Sequence, residues 1–330
     1  MTAYEKAVTA RNLVSAIIFS ALLAWVLSSC EQHELCYNHD HLSKLDVTYD
    51  WSLDEGASPG SMFLFLTPGD GSRTLRRDFA GCLHHRTEIL VGMGYDVLGV
   101  NSDFEQDILQ DTDNPGAMTV TTKDATRIEK LGVSVKALPT TRGNEGERFV
   151  MPTDGMWSDH SKEKVLLTHD MYYAEQDYAL KLRPRPLYSN YTVIVRKIKN
   201  LQKVKTGIAA SLSGLCGGRY LMSGDKTGEN VTIPLAMLKE EDGSLTCHFK
   251  TFGRSKAGDI PNKLSFYTAL KDGSKWSYVY DVTRQVKEAP DERNVTIVID
   301  ELTLPENIGD NSGITPDVSK WEVVDIPLKM

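Results

Sequence analysis

The sequence predicts an all-β protein, built as two β-sandwiches in series behind an export signal. Three observations predict it. Apolar residues recur with a period of two, rather than about 3.6, through most of the chain. The alternating runs are short, and Gly, Pro and Asp turn clusters separate them. An N-terminal apolar run ends in Leu27-Ser28-Ser29-Cys30, the pattern of a bacterial lipobox.

Lys6 and Arg11 give the signal its positive start, and Leu13 to Leu27 its apolar stretch. A spanning helix needs roughly 20 apolar residues, so this run is short for an anchor. Small Ser28 and Ser29 suit a signal peptidase, and the expectation is that Cys30 becomes the first mature residue and carries acyl chains. Each buried methylene of such a chain contributes roughly 0.8 kcal/mol to membrane attachment. Function is then exercised outside the cytoplasm.

The chain has 330 residues and a formal charge of −8. The signal, residues 1–29, is net positive, so residues 30–330 carry −9. That balance argues against nucleic acid as a partner. If Cys30 is lipidated, Cys36, Cys82, Cys216 and Cys247 remain, and their pairing stays open. Cys247 falls in an alternating strand and reads as a small core residue.

Residues 30–43 read as a polar tether. His33, Cys36, His39, Asp40 and His41 lie close together there, but their spacing matches no standard zinc site, so no metal is expected. The first sandwich is assigned to residues 44–185. Leu45, Val47, Tyr49 and Trp51 share one strand face, and Met62 to Leu66 reads as a buried strand. Pro68-Gly69-Asp70-Gly71 is a turn. Ile89 to Val91 and Tyr95 to Val100 are further strands, and Met118 to Thr122 a weaker one. Residues 139–163 read as a long loop, punctuated by Pro139, Gly143, Gly146, Pro152 and Gly155. Val165 to Leu167 and Tyr178 to Leu182 resume strands, and Pro184 and Pro186 mark the boundary.

The second sandwich is assigned to residues 186–330. Tyr191, Val193 and Val195 alternate; Ile208 to Leu212 and Val231 to Leu235 are short strands. Leu264 to Leu270 leads into Asp272-Gly273, a strong hairpin signal, and Trp276, Tyr278 and Tyr280 return. Asp281 is the expected cap of a short helix, Val282 to Lys287. Val295, Ile297 and Ile299 alternate, and Trp321 to Leu328 closes the chain.

No catalytic constellation stands out. No Gly-x-Ser-x-Gly elbow, His-Glu-x-x-His helix or phosphate-binding glycine loop occurs. Asp159-His160-Ser161 has the residue types of a triad, but a triad is a matter of spatial geometry, not adjacency. His84-His85 reads as a surface turn. Aromatics such as Trp51, Trp276, Tyr278 and Tyr280 sit at strand spacing and read as packing. The expectation is a non-enzymatic protein without a cofactor.

Several stretches resemble one known group. They are Cys30-Glu31-Gln32-His33-Glu34-Leu35-Cys36-Tyr37, Val47-Thr48-Tyr49-Asp50-Trp51 and Gly94-Tyr95-Asp96-Val97-Leu98-Gly99-Val100-Asn101. In the second half they are Ala210-Ser211-Leu212-Ser213-Gly214-Leu215, Phe249-Lys250-Thr251-Phe252-Gly253, Asp281-Val282-Thr283 and Trp321-Glu322-Val323-Val324-Asp325-Ile326. Their order is similar to that in the fimbrillin-like, anchor-type lipoproteins of type V fimbriae, within a lipoprotein subfamily lacking an assigned function. The resemblance implies two tandem transthyretin-like β-sandwiches, an outer-membrane lipid anchor facing the cell surface, and pilin-like partner subunits joined by strand addition. The segment singled out for strand exchange is Val323, Val324, Ile326 and Leu328. Pilins of this group mature by cleavage after a basic residue; Arg76-Arg77 falls on an expected strand, so no activation cleavage is expected. The alternative reading is a glycan-binding surface lipoprotein of a nutrient importer, with aromatics presented from loops such as 139–163.

Overall fold

The computed structural model describes residues 41–128, 131–141, 144–257, 259–306 and 320–326. Cys30, the signal, most of the tether and Leu328 lie outside the described residues. Residues 42–330 form one compact unit.

The described chain is all-β, with two short α-helices, His169–Tyr173 and Thr283–Lys287. A three-stranded sheet orders Tyr178–Leu182, Leu42–Tyr49 and His84–Leu90. Facing it, Arg185–Pro186, Trp157–His160, Gly94–Asn101, Ser61–Pro68 and Leu75–Ala80 pair in that order. Leu45, Val47, Tyr49, Met62, Leu64, Leu66, Val97 and Leu182 fill the space between. The alternating burial of Leu42–Tyr49 is the pleat at work: odd positions face the core and even ones face solvent or neighbours. Arg76 and Arg77 lie on the exposed edge strand Leu75–Ala80.

The second sandwich packs a six-stranded sheet on a four-stranded one. The larger runs Arg148–Phe149, Asn230–Ala236, Val204–Cys216, Lys263–Leu270, Lys275–Asp281 and Trp321–Ile326. The smaller runs Leu238–Lys239, Leu245–Thr251, Ser189–Val195 and Asn294–Ile299. Tyr191, Val193, Leu212, Ile233, Phe266, Tyr280 and Ile297 belong to its core, and Cys247 is buried there. Asp272-Gly273 makes its hairpin: Gly273 takes φ +92°, and Asp272 Oδ1 accepts from Ser274 N.

Local reading misses three features. The 139–163 segment is not one loop. Arg148–Phe149 leaves the N-terminal half to pair, parallel, with Val231 and Thr232 of the second sandwich. Trp157–His160 pairs with Gly94–Asn101 of the first. A further three-stranded sheet, Gly218–Tyr220, Thr119–Thr122 and Asp107–Gln110, joins strands from both halves. Beneath this junction, Phe65, Leu98, Val120, Met156, Cys216 and Phe252 form a shared apolar cluster. Finally, the C-terminal helix has Val282 at its cap position, without a side-chain cap. Asp281 lies one residue earlier and instead accepts from Thr283 N and Oγ1.

Candidate interaction site

The C-terminal strand Trp321–Ile326 forms one margin of the larger sheet and runs parallel to Lys275–Asp281. Parallel neighbours cannot be joined by a tight hairpin, so this strand arrives by a long connection. Its β-branched and aromatic residues suit a half-buried pleat. Val324 stands opposite Tyr278 and Ile326 opposite Tyr280, and both pack on the second core. Val323, on the other face, is 50% exposed. Trp321 donates its indole N–H to Ala137 O at 2.9 Å and meets the Tyr267 ring edge-on at 5.7 Å.

The tyrosines beneath are apolar platforms. Burial raises the phenol pKa of both Tyr278 and Tyr280, the latter to about 12. Tyr280 OH donates to Glu301 O at 3.0 Å. Lifting the C-terminal strand would therefore uncover an apolar groove beside the unpaired edge of Lys275–Asp281.

The opposite margin is built differently. Arg148 donates to Glu229 at 2.9 and 3.2 Å and also bonds Asp124. Those carboxylates hold its guanidinium pKa above the usual value. Glu147, its neighbour, accepts from Asn144 Nδ2, Gly214 N and Thr232 Oγ1 at 2.6, 3.0 and 2.8 Å. Burial pushes the Glu147 carboxyl pKa up. A cavity of about 700 Å³ opens here, lined by Thr141, Asn144, Glu147, Arg148, Ser211 and Thr232 among others.

A second concavity, about 430 Å³, lies at the junction of the sandwiches. Trp157 and Tyr188 meet edge-on at 5.3 Å, and the Lys250 ammonium lies over both rings. Asp54 accepts the Trp157 indole N–H at 2.9 Å. Asn101, Asp103 and Asp154 complete the wall. Trp157 falls within the segment singled out from the sequence; its pairing with Tyr188 and Lys250 is tertiary and leaves no local signal.

The other sequence candidates do not come together. Asp159 Oδ2 accepts from Arg183 N and Ser161 Oγ from Val97 N, so the Asp-His-Ser run makes no triad. His85 is buried, stacks on Phe79 at 4.5 Å and contacts Gly81 O. Cys82 and Cys216 are buried free thiols, and Cys247 is buried in the second core. Among the described residues no cluster could hold a metal ion, and no helix is long and apolar enough to cross a membrane.

The sequence matches the family described as a domain of unknown function, DUF5119, over residues 29–236. Comparison with curated proteins gives no significant match. Among solved structures, one described as a "putative adhesin" from Bacteroides ovatus ATCC 8483 aligns with 16% identity and a TM-score of 0.58. It covers 84% of this chain and 99% of that one. The fimbrial anchor protein Mfa2 from Porphyromonas gingivalis aligns at 12% identity and TM-score 0.45, covering 78% and 90%. "Putative polysaccharide binding proteins" (DUF1812) from Bacteroides thetaiotaomicron align at 10% and 0.48, covering 80% and 92%. The first of these likenesses establishes a shared fold.

Proposed function

The chain belongs to the DUF5119 family, and on that footing we propose a lipid-tethered surface subunit that captures pilin-like partners by β-strand addition. The observation that carries this reading is the C-terminal strand. It is a parallel margin strand, seated by Val324 and Ile326 and by one indole hydrogen bond. Main-chain ladder bonds would give an incoming strand affinity, and the Tyr278–Tyr280 face would set its register. The Bacteroides ovatus protein of the same fold is described as a "putative adhesin", which agrees with a role at the cell surface. Cys30 is the residue assigned to the lipid, and the outer membrane is the assigned location.

The test is cross-linking in intact native cells, comparing wild type, a chain lacking residues 320–330, and Cys30→Ala. Capture of pilin-like subunits by wild type, raised by the truncation that opens the groove, supports the reading. Capture unchanged or lost in the truncated chain removes it. Cys30→Ala should release the captured complex from the envelope.

The Trp157–Tyr188 cleft favours a second reading, glycan binding. Aromatic rings beside carboxylate and amide acceptors match the alternating apolar and hydroxyl surfaces of a sugar. Retardation of the wild type in a polysaccharide gel, lost in Trp157→Ala, would support it. Equal mobility of the two proteins would exclude that cleft.

A further inference from the structure

Away from both margins, the junction gathers cations that make no direct ion pair among the described residues. Arg219 faces Lys226 across an antiparallel bridge, and Arg254 faces Leu215 across another. Between these lies Gly253, buried, with φ +90°. A Cβ placed on Gly253 would stand 3.4 Å from Ser189 Oγ, 3.6 Å from Arg219 Nη2 and 3.6 Å from Lys226 Cε. One point over this glycine is thus ringed by a hydroxyl, a guanidinium nitrogen and the stem of an ammonium group.

The guanidinium is fixed there. Arg219 Nε donates to Phe252 O at 3.1 Å and Nη1 to Gly224 O at 2.9 Å. Both acceptors are main-chain atoms, so these bonds orient the group without pairing it to a carboxylate, and they do not use Nη2. Ser189 is 4% exposed. Among the described residues no carboxylate makes an ion pair with Arg219, Lys226 or Arg254. Burial lowers the proton affinity of both Arg219 and Lys226; the charges of Arg219 and Arg254 lower that of Lys226 further. Buried Cys216 and exposed Glu292 act in the other direction on both, and exposed Asp225 on Arg219, with neither carboxylate at ion-pair distance. Holding like charges together in a half-buried site costs free energy that a bound anion would offset.

We propose that this cluster is a binding site for a tetrahedral oxyanion, phosphate or sulfate, seated over Gly253. Arg219 Nη2, Lys226 Nζ and Ser189 Oγ are its donors, and Arg254 adds charge. Donors arriving from three separate segments suit an acceptor whose oxygens point in several directions better than a planar carboxylate. The site is independent of strand addition, because none of its residues lies on the C-terminal strand.

The test is isothermal titration of the purified protein with sodium sulfate and with sodium phosphate, ionic strength held constant with chloride. Wild type should bind saturably. Lys226→Met should bind about tenfold more weakly, as expected for the loss of one charge-assisted bond. Arg254→Met should be weakened less, and Lys239→Met, a change at a distant exposed strand, should leave binding unaltered. Thermal unfolding without anion checks that each variant folds, and Ser189→Ala replaces Lys226→Met if that one does not. Competition by chondroitin sulfate would assign the anion to a sulfated glycan, and preference for inorganic phosphate to a phosphate; either supports the site. No saturable binding by wild type, or equal binding by Lys226→Met, Ser189→Ala and wild type, overturns it.

Discussion

Asp107→Asn should make the protein more stable at alkaline pH and remove part of its pH dependence. Asp107 is 4% exposed and opens the strand Asp107–Gln110. Its Oδ2 accepts from Thr153 Oγ1 at 2.9 Å and from Asp154 N at 3.2 Å, but its Oδ1 is buried without a partner. Burial, and secondarily the Asp154 carboxylate, raise its pKa to about 7; the hydrogen bonds only partly oppose them. The folded chain therefore keeps this proton where the unfolded chain has lost it. The associated stability is complete below the unfolded value of 3.8 and drains away as pH rises to about 7, where the loss levels off. Each tenfold in proton affinity is about 1.4 kcal/mol, so the full loss is about 4 kcal/mol. Asparagine keeps an oxygen for Thr153 and Asp154 N but leaves its amide N–H groups unpaired, at a cost of about 1–3 kcal/mol. The net gain at about pH 8.5 is thus about 1–3 kcal/mol, turning into a loss at about pH 4. Urea denaturation of both proteins across this range gives the difference directly, and the other carboxylates cancel in it. A difference that does not change with pH would falsify the assignment of a raised Asp107.

Three further outcomes follow from packing. Gly214 has φ +73°, and a Cβ there would lie 2.4 Å from Pro261 O, so Gly214→Ala should cost about 2–4 kcal/mol in chemical denaturation. Val323→Lys, on the exposed face, should change stability by no more than about 0.5 kcal/mol. Ile326→Asp places a charge against the second core, and amide exchange should quicken at residues 321–326 while the strand Lys263–Leu270 stays protected.

The all-β class was legible because it is written locally. Leu45, Val47 and Tyr49 alternate in the sequence and face one core, and Asp272-Gly273 makes the turn its chemistry demands. What was not legible is pairing at a distance. Nothing in Arg148-Phe149 announces Val231 and Thr232 as ladder partners, and two residues are too few to show a period. The same limit hid the oxyanion cluster: Ser189, Arg219, Lys226 and Gly253 come from separate segments, and only the junction brings them to one point. Trp157 shows the intermediate case. Its segment stood out by composition, but its role depends on Tyr188 and Lys250 across the cleft.

The two margins of the larger sheet decide where a partner strand could enter. At one, Pro234 lies beyond the reach of Arg148–Phe149, which covers only Val231 and Thr232. Proline offers no N–H to an incoming strand, so pairing there is interrupted. Arg148 is further tied to Asp124 and Glu229, and Glu147 to Gly214 and Thr232. Displacing that margin means breaking several charge-assisted bonds at once. The other margin has neither device. Trp321–Ile326 carries no proline, its side-chain hold is Val324, Ile326 and one indole bond, and Val323 faces solvent. Natural edges are usually blunted against unwanted pairing; the Arg148 edge is blunted by proline and ion pairs, the C-terminal edge only by the exposed charges of Glu322 and Asp325. If strand addition occurs on this sheet, the asymmetry directs it to the C-terminal margin. Introducing proline at Ser277, whose partner in the ladder is Val323, should then suppress partner capture, whereas Arg148→Met should weaken the fold and leave capture by the folded fraction intact. The reverse pattern would move the entry point to the Arg148 margin.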